Sequence, residues 1–150
     1  MPLLAPCTTP AQGDRVLLGP QDSAQHLNQP GMEGPPEPIR LVLRSAVEWD
    51  SVWQMLNRNR LYPPASPVPA VDFTHEMVVL AGLGRQASSG WNIRIDTVVM
   101  RRDTMRVIIH SVAPQCMAGM MITYPWDAVR VPRTDAVVQF VKRPIIHWCR

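Results

Sequence analysis

The sequence predicts a mainly β domain, an antiparallel β-sandwich or partly open barrel, with one amphipathic helix packed on a sheet. Three observations carry that prediction. From residue 71 onward two apolar runs, 77–83 and 91–99, flank a short polar segment at 84–90 bounded by Gly84 and Gly90. Further short extended runs recur towards the C-terminus, separated by turn residues. Helical spacing of large apolar residues occurs in one place, just after residue 45.

In chain order, residues 1–38 hold half of the 16 prolines, lack periodicity, and read as a disordered leader or linker. Ile39, Leu41 and Leu43 then alternate with Arg40, Val42 and Arg44, which is a short strand with one apolar face. Ser45-Ala46-Val47-Glu48 has the form of a capping box, in which the Ser45 hydroxyl and the Glu48 carboxylate satisfy two N–H groups reciprocally. Trp49, Val52, Trp53 and Leu56 come next on one helical face, so both indoles are expected in the core. The proline-rich stretch 62–70 is an extended connector from helix to sheet.

Asp72 caps a turn, with Phe73 beneath it, before the central strand. Met77, Val79, Ala81 and Leu83 point one way, Val78, Leu80 and Gly82 the other, so this strand should be covered on both faces. A loop over 84–90 is expected to join it, as a hairpin, to a second strand. In that strand Trp91, Ile93, Ile95 and Val99 face the core, and Asn92, Arg94 and Asp96 face water. A turn at 100–104, strands at 105–112, 120–124, 128–131 and 136–141, and a tail at 143–150 complete the chain. The predicted organisation is a leader over 1–38, one β-rich domain over 39–142, and the tail.

Several function classes fall away. The 150 residues carry a formal net charge of +3, with Lys142 the single lysine and the arginines scattered, so no nucleic-acid footprint is expected. No G-x-S-x-G, Walker loop, H-E-x-x-H or dinucleotide fingerprint is present, and the chain is not expected to be an enzyme or to need a cofactor. Asp72, His75 and Glu76 contain metal-ligand chemistry, but their place before a strand favours turn capping, and no metal site is assigned. Cys116 beside His110 or His147 has no helix N-terminus or adjacent cation to activate a thiolate. Cys116 and Cys149 are either a bridge or free thiols. His110, among apolar neighbours, is expected half-buried and satisfied.

The start, Leu3-Leu4-Ala5-Pro6-Cys7, resembles the end of a bacterial lipoprotein signal, with Cys7 as the lipidated residue and a polar tether after it. Pro6 departs from the small residue that pattern uses. A lipid anchor at Cys7 is the one membrane association expected. The localisation expected is the bacterial envelope, periplasmic or lipid-anchored, or the cytoplasm where the N-terminus shown is complete.

The order of signals from 70 to 140 resembles the PrcB C-terminal domain family, named for a protease complex subunit. The matching features are Val71-Asp72-Phe73, Glu76-Met77-Val78-Val79, Gly84 with Gly90-Trp91, Thr123-Tyr124-Pro125-Trp126, Val129-Arg130-Val131-Pro132 and the closing run 137–141. Ser89 stands where the family tends to carry a second glycine. The resemblance implies a non-catalytic accessory or binding subunit whose partner is a protein such as a protease. Loops on a rigid sheet are where binding usually sits, which nominates Arg85, Gln86, Ser88, Ser89 and Gly90 as partner-binding residues. A weaker likeness, of Ala87-Ser88-Ser89-Gly90-Trp91 and Arg143-Pro144, is to the chagasin-type inhibitors of cysteine peptidases. It implies inhibition through the 84–91 loop as the alternative.

Overall fold

The structure, a computed structural model, describes residues 13–27, 33–58, 60, 64, 66–114 and 118–146. Its elements are β1 (Arg15–Leu18), a 3-10 turn at Ser23–Gln25, β2 (Ile39–Leu43), α1 (Ala46–Asn57), β3 (Glu76–Gly82), β4 (Asn92–Arg101), β5 (Thr104–Val112), β6 (Trp126–Pro132) and β7 (Val137–Ile145). They form two sheets, one in the order β1-β4-β5-β7 and one in the order β2-β3-β6. With α1 alongside, this is the β-sandwich-like architecture with one packed helix that the strand pattern predicts.

The central strand explains the layering. Met77, Val79 and Ala81 are buried against Leu18, Ile93, Ile95, Val98, Met105, Val107 and Ile109 of the four-stranded sheet. Val78 and Leu80, on the opposite face, are buried with Leu43, Trp49, Trp53 and Leu56. Each fully buried aliphatic side chain here contributes roughly 1.5–3 kcal/mol. The layers are therefore helix, three-stranded sheet, four-stranded sheet.

Ser45 caps α1 as expected, its hydroxyl accepting from Glu48 N at 3.2 Å. Glu48 reaches back to the N–H of Arg44 at 3.2 Å rather than to that of Ser45, one residue earlier than the pattern predicts. Trp49 and Trp53 meet edge to face with ring centroids 5.4 Å apart, and Trp53 meets Trp126 at 6.1 Å. Burying an indole leaves an N–H that must find an acceptor. The connector supplies two: Trp49 Nε1 donates to Pro69 O at 3.0 Å and Trp53 Nε1 to Ser66 O at 3.1 Å.

Five expectations are corrected. First, β3 and β4 are not a hairpin. Both edges of β3 are paired, with β2 and β6, while β4 pairs with β1 and β5, so the 83–91 segment crosses from one sheet to the other. Alternation fixes which faces a strand buries, not which neighbours it takes. Second, β7 runs parallel to β5, because the chain passes through β6 in the other sheet before returning.

Third, the described part of the 1–38 leader is built into the domain. β1 pairs with β4, Leu18 is wholly buried, and His26 bridges to Val129. Leu27 N donates to Ala128 O at 2.7 Å, and Pro35 is buried. A strand of four residues is too short to show periodicity. Residues 1–12, with Cys7, lie outside the described residues. Fourth, a bulge between Ile95 and Thr97 reverses the facing of the rest of β4, so Val98 rather than Val99 is buried. Fifth, 120–124 is a loop with one bridge at Thr123, and β7 runs past 142 to Ile145. Residues 115–117 and 147–150, with Cys116, His147 and Cys149, lie outside the described residues.

Candidate functional site

The end of the sandwich where the chain changes sheets is built by two loops, 83–91 and 118–125. Gly84 and Gly90 take φ of 76° and 85°, a region in which a side chain is strained. A Cβ on Gly84 would lie 2.8 Å from Pro38 N, and one on Gly90 2.8 Å from Pro114 Cβ, so both close approaches need glycine.

Between them the loops are stapled together. Gln86 N donates to Thr123 O at 2.8 Å, and Thr123 N donates to Gln86 O at 3.0 Å. Ser89 N donates to Gly119 O at 3.0 Å, and Gly119 N donates back to Ser89 Oγ at 2.8 Å. Thr123 Oγ1 donates to Ser88 O at 2.9 Å. Arg85 N is held by Pro36 O at 2.9 Å. With Leu83 N donating to Pro125 O at 2.9 Å, six bonds across the loop pair fix its shape before any partner arrives, which lowers the ordering cost of binding.

The nominated residues separate by role. Gln86 and Ser89 point their polar groups into this staple, Gln86 Nε2 also donating to Leu83 O at 3.3 Å. Ser88 is half-buried and contributes its carbonyl. Arg85 and Gly90 are exposed. The second loop supplies what the sequence reading passed over. Met120 is fully exposed, with Met121 at 44% and Ile122 at 42%. Three consecutive exposed apolar residues on a braced loop are a feature of surfaces that meet another molecule. The run is legible in the sequence as Met120-Met121-Ile122, where it reads equally well as a strand.

A second arrangement also escaped the sequence reading. Asp127, 1% exposed, lies between the sheets. Its carboxylate contacts His26 Nδ1 at 2.8 and 2.9 Å and accepts from Ile95 N at 2.8 Å. One buried carboxylate thus ties β6, β4 and the N-terminal segment together. His26 Nε2 is buried without a partner among the described residues. The signal was Asp127 itself, a charge inside an apolar strand pattern; its partner is remote in sequence.

The other titratable candidates have ordinary roles. Asp72 and His75 are exposed and pair at 2.7 Å. The hydrogen bond from His75, then that from Thr74 N, holds the Asp72 carboxyl below its usual range. His110 faces Asp96 at 3.6 Å. A shallow cleft of about 320 Å³ lies beside Asp22, His75, Glu76 and Arg130, where Asp22 accepts from Gly19 N and Arg130 donates to Ala24 O and Ala70 O. No group of three or more His, Cys, Asp or Glu among the described residues could hold a metal ion. No helix among them is long and apolar enough to cross a membrane.

The described residues define a small β-sandwich-like domain with a braced loop edge. Residues 77–132 match the family model described as PrcB C-terminal. The matched segment runs from β3 to the end of β6 and contains both stapled loops. No curated protein and no solved structure matches the chain.

Proposed function

We propose that the chain is a non-catalytic accessory subunit that docks a partner protein through the stapled edge of loops 83–91 and 118–125. The observation that carries this is the braced, exposed run Met120-Met121-Ile122 inside the segment that matches the PrcB C-terminal model. Unbranched thioether side chains fill irregular apolar clefts well, and a preformed loop delivers them with little ordering cost. The partner class that fits the family likeness is a protease. Lipidation at Cys7 would hold the module at a bacterial envelope membrane.

The rigidity of the edge also supports the second reading, a peptidase inhibitor, because a wedge must not yield when it enters a cleft. The test is a double variant, Met120→Asp with Ile122→Asp, assayed by co-purification from envelope extract and by thermal melting. The expected result is loss of one defined partner with an unchanged melting temperature. An unchanged partner set would overturn the proposal. A captured peptidase that stops cleaving when saturated with this protein is under inhibition; one that keeps cleaving has an accessory subunit.

A further inference from the structure

Three of the 14 arginines, Arg94, Arg106 and Arg143, are scattered in sequence and meet on one face. Cross-strand register places residues of β4, β5 and β7 directly opposite one another on the outer side of the four-stranded sheet. Arg94 is opposite His110, which is opposite Arg143. Thr97, Ile108 and Val141 form the next row, and Val99, Arg106 and Gln139 the one after. Arg94 and Arg143 thus flank His110 in one row, and Arg106 lies two rows along the same face.

The countercharge on the face is small. Asp96, held by Thr97 Oγ1 at 2.8 Å, lies 3.6 Å from His110. Among the described residues Arg94 reaches a carbonyl, Pro20 O, at 3.1 Å and no carboxylate. Arg106 and Arg143 have no ion-pair partner among the described residues, and Arg106 Nε is buried with no hydrogen-bond partner. The α-helix of the described residues, α1, packs on the other sheet. The Arg94–His110–Arg143 row also lies one row in from Asn92, Val112 and Ile145, at the end where Gly90 packs on Pro114 and Ala113 N donates to Ile145 O. Two residues along a strand is about 7 Å, so the basic row borders the stapled loop edge.

We propose that this face is a docking surface for an acidic segment of a partner protein, with carboxylates on Arg94, Arg106 and Arg143 and an apolar residue over the half-buried Val141. The inference rests on the reading of the chain as a protein-binding module and adds the partner's chemistry. Guanidinium forks bind carboxylates through paired hydrogen bonds, and the half-buried Val141 between them rewards a segment that also carries an apolar side chain. The complementary charge also steers the encounter.

The experiment maps amide shifts of the whole chain on titration with poly-L-glutamate, with phosphatidylglycerol vesicles as a second probe. The expected result is that poly-L-glutamate moves amides of β4, β5 and β7 around Arg94, His110 and Arg143. Arg106→Gln with Arg143→Gln should weaken that binding at least about tenfold, the scale of lost charge-assisted hydrogen bonds. Arg143→Gln alone, at an exposed position, carries the test if Arg106→Gln fails to fold. Undiminished binding by a folded variant, shifts confined to other surfaces, or Arg-dependent binding of the vesicles alone would each overturn the proposal. If poly-L-glutamate does not bind this face while Met120→Asp abolishes partner capture, the inference fails and the docking edge stands. Capture lost by neither set of variants removes the docking reading itself.

Discussion

The two outer faces of this sandwich are built from the same strand geometry and end in opposite surfaces. Behind the three-stranded sheet, Leu43, Val78, Leu80 and Ala128 meet Trp49, Trp53 and Leu56, and that side is core. Outside the four-stranded sheet, Arg94, Arg106, Gln139 and Arg143 stand where a second helix would pack. The three-stranded sheet needs apolar residues on both sides of its central strand; the four-stranded sheet needs them on one. The two faces therefore divide the labour: one supplies stability, and the other can carry charge that a core would not tolerate.

The sharpest way to break this comparison is at the covered face. Trp53→Ala removes a 4%-exposed indole that packs on both Trp49 and Trp126, and should cost about 3–5 kcal/mol, read by denaturant unfolding. An unchanged midpoint would mean α1 does not close the core. Between the sheets, His26→Ala removes a partner of the buried Asp127 carboxylate and should cost roughly 2–3 kcal/mol. Deleting the N-terminal segment through Leu27 should cost at least as much, since Leu18 and His26 go with it; a leader outside the domain would cost nothing.

At the loop edge, Gly90→Val forces a β-branched residue to a φ of 85° against Pro114, a loss of about 1–3 kcal/mol visible as a lower melting temperature. On the uncovered face Arg143→Gln should change stability by no more than about 0.5 kcal/mol, because it relieves like charge and removes no packing. A large loss there would make that face structural. The smallest effect is at Asp72. Its carboxyl titrates below the usual 3.8, so the Asp72–His75 contact contributes above that pH and is lost as pH falls through the lowered value. In His75→Ala an NMR titration should find the midpoint moved back towards 3.8.

Local chemistry was legible in the sequence where it repeats over several residues. The alternation through 77–82 marked the doubly covered strand, and Ser45 with Trp49 and Trp53 marked a capped, docked helix. Gly84 and Gly90 marked the loop because positive φ selects glycine. Long-range partnership was not legible. β3 and β4 look like a hairpin until β2 and β6 take both edges of β3. Asp127 looks like a misplaced charge until His26 folds against it from far along the chain. The basic face is invisible in sequence because its members are contributed by three strands and meet only in register. Side-chain period is a property of one strand, so sequence alone determined the two buried faces of β3, the docked face of α1 and where the helix begins. Pairing, strand direction and the gathering of remote charges depend on which edges remain free once the core has closed, and only the tertiary structure decided those.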